Sequence, residues 1–159
     1  MISNIAAGNI AIRHNACGPC LPVVTACATS THAIGEAYRA IKHGYADAVI
    51  AGGSEAAIIP LGIAGFANAK ALSRAEDPKY ASLPFSADRG GFVMAEGAGM
   101  LILEEYEHAV RRGATIIAEV CGYGNTCDAH HVTAPRPDGV TQSSALKMAL
   151  DQAYYKISL

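Results

Sequence analysis

The stretch Val23-Val24-Thr25-Ala26-Cys27-Ala28-Thr29-Ser30 constrains the chain most, because the backbone must change regime around one cysteine. Val23 and Val24 are β-branched and favour a pleated, half-buried surface, so a short buried strand is expected up to Cys27. Thr29, Ser30 and Thr31 are N-cap types, able to take up the orphan amides of a helix start. Ile34, Ala37, Tyr38 and Ile41 follow at i, i+3, i+4 and i+7, one apolar stripe of a helix. Gly44 supplies its C-terminal stop. A second apolar run, Ala48-Val49-Ile50, closes in Gly52-Gly53-Ser54-Glu55. Strand, helix and strand in that order predict an α/β class with a parallel, buried pair and a right-handed crossover.

A cysteine at such a corner is a candidate nucleophile. The positive end of the helix dipole and the free N–H groups there favour thiolate, the reacting form. Backbone donors at the corner are placed to hold a developing oxyanion. The alternative is that Cys27 is one more small buried hydrophobe, as many free cysteines are.

Other groupings offer competing chemistry. Cys17-Gly18-Pro19-Cys20 has the spacing of a thiol–disulfide redox motif, but Leu21-Pro22-Val23-Val24 reads as strand, and Pro22 sits badly in a helix begun at Cys17. Cys121, Cys127, Asp128, His130 and His131 suggest a metal site, yet their spacing fits no common zinc pattern. Gly52-Gly53 lacks the Lys-Ser/Thr ending of a phosphate loop. Glu55 is either a hydrogen-bonded buried carboxylate or an ordinary exposed one.

Ser3 to Arg13 has a short amphipathic helix pattern, and Leu61 to Leu72 reads as a small-residue helix carrying Phe66. Arg74 to Arg89 is a polar loop with Pro78 and Pro84. Phe92-Val93-Met94 and Ala98 to Leu103 are expected as two strands around a Gly97 turn. Glu104 to Arg112 reads as a helix with an acidic first turn and a basic last turn, stopped by Gly113. Thr115 to Gly122 reads as an apolar strand. Gly139 to Tyr154 reads as a helix with Leu146, Ala149, Leu150 and Ala153 on one face.

A chain of 159 residues, 51% hydrophobic and 16% charged, fits one buried α/β core and argues against disorder. The net charge of -2, without a basic run or aromatic-basic interleaving, gives nucleic-acid binding no support. Apolar stretches are broken well short of a membrane span, and no secretion signal is visible. Five cysteines, an odd number, are expected as reduced thiols in the cytoplasm.

Thr25-Ala26-Cys27-Ala28-Thr29-Ser30, His32-Ala33-Ile34-Gly35-Glu36-Ala37 and Ala51-Gly52-Gly53-Ser54-Glu55 together resemble the β-ketoacyl-acyl carrier protein synthases. Pro60-Leu61-Gly62, Lys70-Ala71-Leu72-Ser73, Gly91-Phe92-Val93, Glu96-Gly97-Ala98-Gly99 and Asp128-Ala129-His130-His131-Val132-Thr133-Ala134-Pro135 extend the likeness along the whole chain. It is most similar to the bacterial elongating synthases of the second type. Polyketide-type enzymes fit less well, because Val24-Thr25 stands where they commonly carry an acidic residue and threonine.

The resemblance implies a thiolase-like α/β fold, layered α-β-α-β-α, and condensation of an acyl-enzyme with malonyl-acyl carrier protein. It casts residues 1–112 as part of the N-terminal half and 113–159 as the beginning of the C-terminal half. Cys27 matches the acyl-accepting nucleophile. Phe66 lies where the family lines its acyl and pantetheine channel, with plain core as the alternative, and Thr133 matches a pocket threonine. His131 matches a recurrent histidine, and Lys70 a basic position that in relatives meets the acidic carrier protein. No cofactor is implied beyond the carrier's phosphopantetheine, and a homodimer is. The six histidines, His14, His32, His43, His108, His130 and His131, lack the neighbours of the family's two catalytic histidines. The chain therefore reads as an internal fragment that carries the nucleophile and part of the pocket and is inactive in condensation by itself.

Overall fold

The computed structural model describes residues 2–153, so Tyr154 of the expected last helix lies outside the described residues. Five α-helices and two strands are present among them: α1 (Ile5–His14), α2 (Thr29–Lys42), β1 (Ala48–Glu55), α3 (Pro60–Asn68), β2 (Gly97–Glu104), α4 (Tyr106–Arg111) and α5 (Val140–Gln152). Short 3-10 turns lie at Ala26–Ala28 and Pro78–Tyr80. β1 and β2 form a two-stranded sheet. Glu105, just past β2, donates its N–H to the carbonyl of Asp47, just before β1, at 2.9 Å. The end of one strand thus meets the start of the other, and the pair runs antiparallel.

The parallel pair expected between Val23-Val24 and Ala48-Val49-Ile50 across α2 is not formed, since only the second run is a strand. Val23 and Val24 form no strand; among the described residues no ladder partner takes up their backbone, and β-branching alone does not make a strand. Thr115 to Gly122 is likewise irregular rather than a strand. Gly97 is no turn but the first residue of β2, and Phe92 makes only an isolated parallel bridge with Leu72.

The chain divides into two compact units, residues 53–99 and the remainder. In the larger unit, the helical stripe read from the sequence is the packing face of α2. Ile34, Tyr38 and Ile41 surround a core of Ala37, Ala51 of β1 and Leu103 of β2, joined by Val49. Gly44 stops α2 as expected. With φ +72° it lets its own N–H reach the Ile41 carbonyl at 3.0 Å while Tyr45 N–H reaches Ala40 at 2.8 Å, a Schellman closure. Gly113, at φ +69°, ends α4 the same way, its N–H bonding Val110 and the Ala114 N–H bonding Ala109. α4 is shorter than expected because the Glu105 carboxylate serves as its cap, accepting the N–H groups of Glu107 and His108. The half-buried face of α5 is Thr141, Ala145, Ala149 and Gln152, whereas Leu146 stands exposed.

In the smaller unit α3 opens with Pro60 in its first turn, where a missing N–H costs nothing. It ends at Asn68, short of the expected Leu72, because Lys70 adopts the left-handed conformation (φ +56°) and Ala71 N–H folds back to the Phe66 carbonyl. Phe92 and Ala71 to Ser73 exchange backbone bonds at 2.9 and 3.0 Å.

Candidate active site

Cys27 sits in the 3-10 turn that runs directly into α2, with its side chain exposed. The expected side-chain cap is not formed: Ala28 is the N-cap residue, without a side-chain bond. Thr29 instead turns backwards, its hydroxyl accepting the Thr25 N–H at 2.8 Å. Thr25 is bonded twice more. Its carbonyl accepts the Ala28 N–H at 3.2 Å, and its hydroxyl lies 2.7 Å from His32 Nδ1. Between these ties Ala26 is left-handed, with φ +52°, a conformation that costs an alanine about 1–2 kcal/mol. The turn that presents the thiol is therefore held, not relaxed.

Behind His32 lies Tyr123. The two rings meet edge to face at 6.5 Å, and the Arg39 guanidinium covers the tyrosine ring at 4.9 Å. Tyr123 is 6% exposed, and its backbone is clasped on both sides by the Gln152 amide, at 3.3 Å and 2.8 Å. Burial, with help from the Glu36 charge, raises its phenol above the ordinary range. Its hydroxyl is buried and without a hydrogen-bond partner among the described residues. Sequence reasoning did not single out Thr25, His32 or Tyr123 for this arrangement. The available signal was Gly122-Tyr123-Gly124, an aromatic residue flanked by glycines as close approach of another backbone requires.

The loop carrying Thr133 and His131 is tied down by Asp128. One carboxylate oxygen accepts the Arg136 N–H at 2.8 Å and the Gln142 amide at 3.0 Å; the other accepts the Thr141 hydroxyl. The Thr141 bond first, then the Arg136 N–H, hold the Asp128 carboxyl below its usual range. His131 Nδ1 accepts the N–H groups of Thr133 and Ala134 at 3.1 and 3.0 Å, which in the neutral ring places the proton on Nε2. The Thr133 side chain is exposed. No cluster of three or more metal-ligating side chains forms among the described residues, and all five cysteines, Cys17 and Cys20 included, are free and exposed.

Phe66 belongs to the smaller unit, where it packs edge-on against Phe92 with ring centroids 5.1 Å apart. It is 44% exposed, so plain core does not describe it. Phe92 also lines an open apolar cavity of about 250 Å³ with Ile58, Ile63, Leu72, Val93 and Met94. Glu96 supports its wall by accepting the Ile58 N–H at 2.9 Å.

A family model described as the β-ketoacyl synthase N-terminal domain matches residues 1–109. The chain belongs to the β-ketoacyl synthase family. It is 55% identical over 157 residues to 3-oxoacyl-[acyl-carrier-protein] synthase 2 of Synechocystis sp., covering 98% of this chain and 38% of that protein. It is 48% identical to the mitochondrial 3-oxoacyl-[acyl-carrier-protein] synthase of Arabidopsis thaliana, over 96% of this chain and 34% of that one. Among solved structures, a ketosynthase in complex with its type II PKS acyl-carrier protein superimposes with a TM-score of 0.91 at 42% identity, over 96% of this chain and 38% of that one. A β-ketoacyl synthase from Burkholderia phymatum gives 0.87 at 39% identity, over 94% and 36%. The chain thus spans between a third and two fifths of these proteins' lengths. Its α/β class and ketosynthase fold stand on these superpositions. No helix among the described residues is long and apolar enough to cross a membrane.

Proposed function

We propose that these residues form the nucleophile-bearing part of a condensing acyltransferase of fatty-acid elongation, with Cys27 as the acyl acceptor and no condensation by the 159 residues alone. The observation that carries this is an exposed cysteine on a held turn at the head of α2, in a chain of this family. In the first half-reaction the Cys27 sulfur attacks an acyl thioester carbonyl on the carrier's phosphopantetheine. The carbon–sulfur bond to pantetheine breaks, and the proton of the Cys27 thiol ends on the released pantetheine sulfur. In the second, malonyl-carrier loses CO₂ and its α-carbon attacks the Cys27 thioester. The β-ketoacyl product stays on the carrier, and the Cys27 thiolate released as its bond to the acyl carbon breaks takes a proton from water.

By its place in the family, Phe66 is proposed as an acyl-chain contact, and Thr133, on the loop pinned by Asp128, as a contact for the pantetheine or malonyl group. Exposed Lys70 is a contact for an acidic carrier protein. A homodimer working in the cytoplasm, with no cofactor beyond the carrier's phosphopantetheine, completes the proposal. A polyketide-type synthase is the second reading, favoured by the 0.91 superposition on a type II PKS ketosynthase; the higher identity to the fatty-acid enzymes weighs against it.

The test is incubation with acyl-carrier protein followed by peptide mass spectrometry. The acyl mass is expected on the Cys27 peptide and not on those of Cys17, Cys20, Cys121 or Cys127, and Cys27→Ala abolishes it. A bridged Cys17–Cys20 pair with Cys27 unlabelled would replace the proposal with thiol–disulfide chemistry. Acyl transfer from polyketide carriers in preference to fatty-acid carriers would select the second reading.

A further inference from the structure

We infer that Thr25 and His32 are positioning residues for Cys27, acting as a clamp across the turn that presents the thiol. The inference rests on the acyl-acceptor role of Cys27 proposed above. Every polar group of Thr25 is used within this turn: N–H to the Thr29 hydroxyl at 2.8 Å, carbonyl from the Ala28 N–H at 3.2 Å, hydroxyl to His32 Nδ1 at 2.7 Å. Cys27 lies between the bonded residues. Ala26, immediately before it, is held at φ +52°, where an alanine stays only when its surroundings over-determine the backbone.

His32 provides the fixed end of the clamp. It lies on α2, and its ring abuts the edge-to-face partner Tyr123, itself buried beneath Arg39 and clasped by Gln152. Thr25 is exposed, so the bond from its hydroxyl adds little to a hydrophobic core. What it fixes is the path of Ala26 and Cys27. Without it the left-handed alanine is free to relax, and the thiol leaves its place ahead of the first turn of α2.

The test measures S-acylation of Cys27 by an acyl-pantetheine thioester in the protein, with iodoacetamide labelling of Cys121 and the melting temperature as controls. Thr25→Val keeps the shape and loses the hydroxyl; His32→Ala loses the ring nitrogen that partners it. Each is expected to slow Cys27 acylation about fivefold, the worth of one net hydrogen bond, with Cys121 labelling unchanged. Thr25→Ser and His32→Asn, which keep polar atoms in place, are expected to restore the rate, as a merely structural role would not require. Wild-type rates in Thr25→Val and His32→Ala overturn the clamp, and so does a loss shared equally by the two conservative variants. If wild-type Cys27 takes no acyl group, the acyl-acceptor reading falls instead. The clamp is then judged by hydrogen exchange at the Ala28 amide, which Thr25→Val must accelerate and Thr25→Ser must not; equal exchange in both overturns it.

Discussion

Arg112 grips Glu104 with two hydrogen bonds, Nε to Oε1 at 2.7 Å and Nη2 to Oε2 at 2.6 Å. His108 Nδ1 approaches the same Oε1 at 2.5 Å. The last residue of β2 is thereby bound to α4, and the Glu104 side chain is 9% exposed. The Arg112 bond first, then His108, lower the Glu104 carboxyl from 4.5 to about 2. A carboxyl depressed in the folded state stabilises the fold above its ordinary value, and that contribution disappears as pH falls through the folded value. The melting temperature is therefore expected to decline between pH 4.5 and about 2. Glu104→Gln should lower it by several degrees at neutral pH and flatten that decline. An unchanged acid slope in the variant would remove Glu104 from the account.

Gly35 faces the ring of Tyr123 so closely that a Cβ would lie 2.2 Å from two of its carbons. Alanine normally improves a helix over glycine by roughly 1 kcal/mol. Here the ring cannot give way, being flanked by Arg39 and His32 with its backbone clasped by Gln152, so overpacking of about 1–3 kcal/mol should prevail. Gly35→Ala is expected to lower the denaturant midpoint. In a Tyr123→Val background the same change should be neutral or stabilising, a reversal that a double-mutant cycle reads directly.

Gly122 presents a different obstacle. A Cβ there would meet the Ala149 carbonyl oxygen at 2.0 Å, and one at Gly124 the Ala145 carbonyl at 2.1 Å. These are backbone atoms of α5, which no rotamer change can move. Gly122→Ala should cost about 2–4 kcal/mol in urea unfolding, and shortening side chains on α5 should not rescue it. Rescue by such a change would show that side chains, not backbone, set the approach.

The contrast between these glycines explains what the sequence disclosed. The stripe Ile34, Ala37, Tyr38 and Ile41 and the stop at Gly44 are local features, repeated within a turn or two, and they locate α2 and its buried face. Val23-Val24 looked like a strand by composition, but a strand is a pairing, and pairing depends on distant residues. Gly97 read as punctuation although it begins β2, because a glycine carries no mark distinguishing a turn from an extended ladder. In the candidate site, the helix that begins beside Cys27 was legible from the stripe that follows it, although Thr29, Ser30 and Thr31 do not cap that helix. Thr25 with His32, and the close fit of Gly122-Tyr123-Gly124 on α5, join residues from 7 to 29 positions apart and leave only faint local traces.

Lys70 occupies a position where glycine is the ordinary choice. It is the left-handed residue closing α3, with its N–H on the Ala67 carbonyl at 3.0 Å and Ala71 N–H on Phe66 at 3.1 Å. A lysine there carries roughly 1–2 kcal/mol of backbone strain that glycine avoids, partly offset by the greater freedom glycine has when unfolded. Lys70→Gly is thus expected to stabilise the protein by about 0.5–1 kcal/mol. If the exposed ammonium meets an acidic carrier protein, as proposed, the same change should slow carrier association and weaken its salt dependence. Lys70→Arg separates the two effects, keeping both charge and strain, so stability and association should stay near wild type. Lys70→Asn removes the charge while tolerating the left-handed backbone, and should slow association without loss of stability. Thermal melting with stopped-flow binding over a salt series decides the matter. Full carrier association in Lys70→Gly would mean that the strained lysine serves no contact with the carrier.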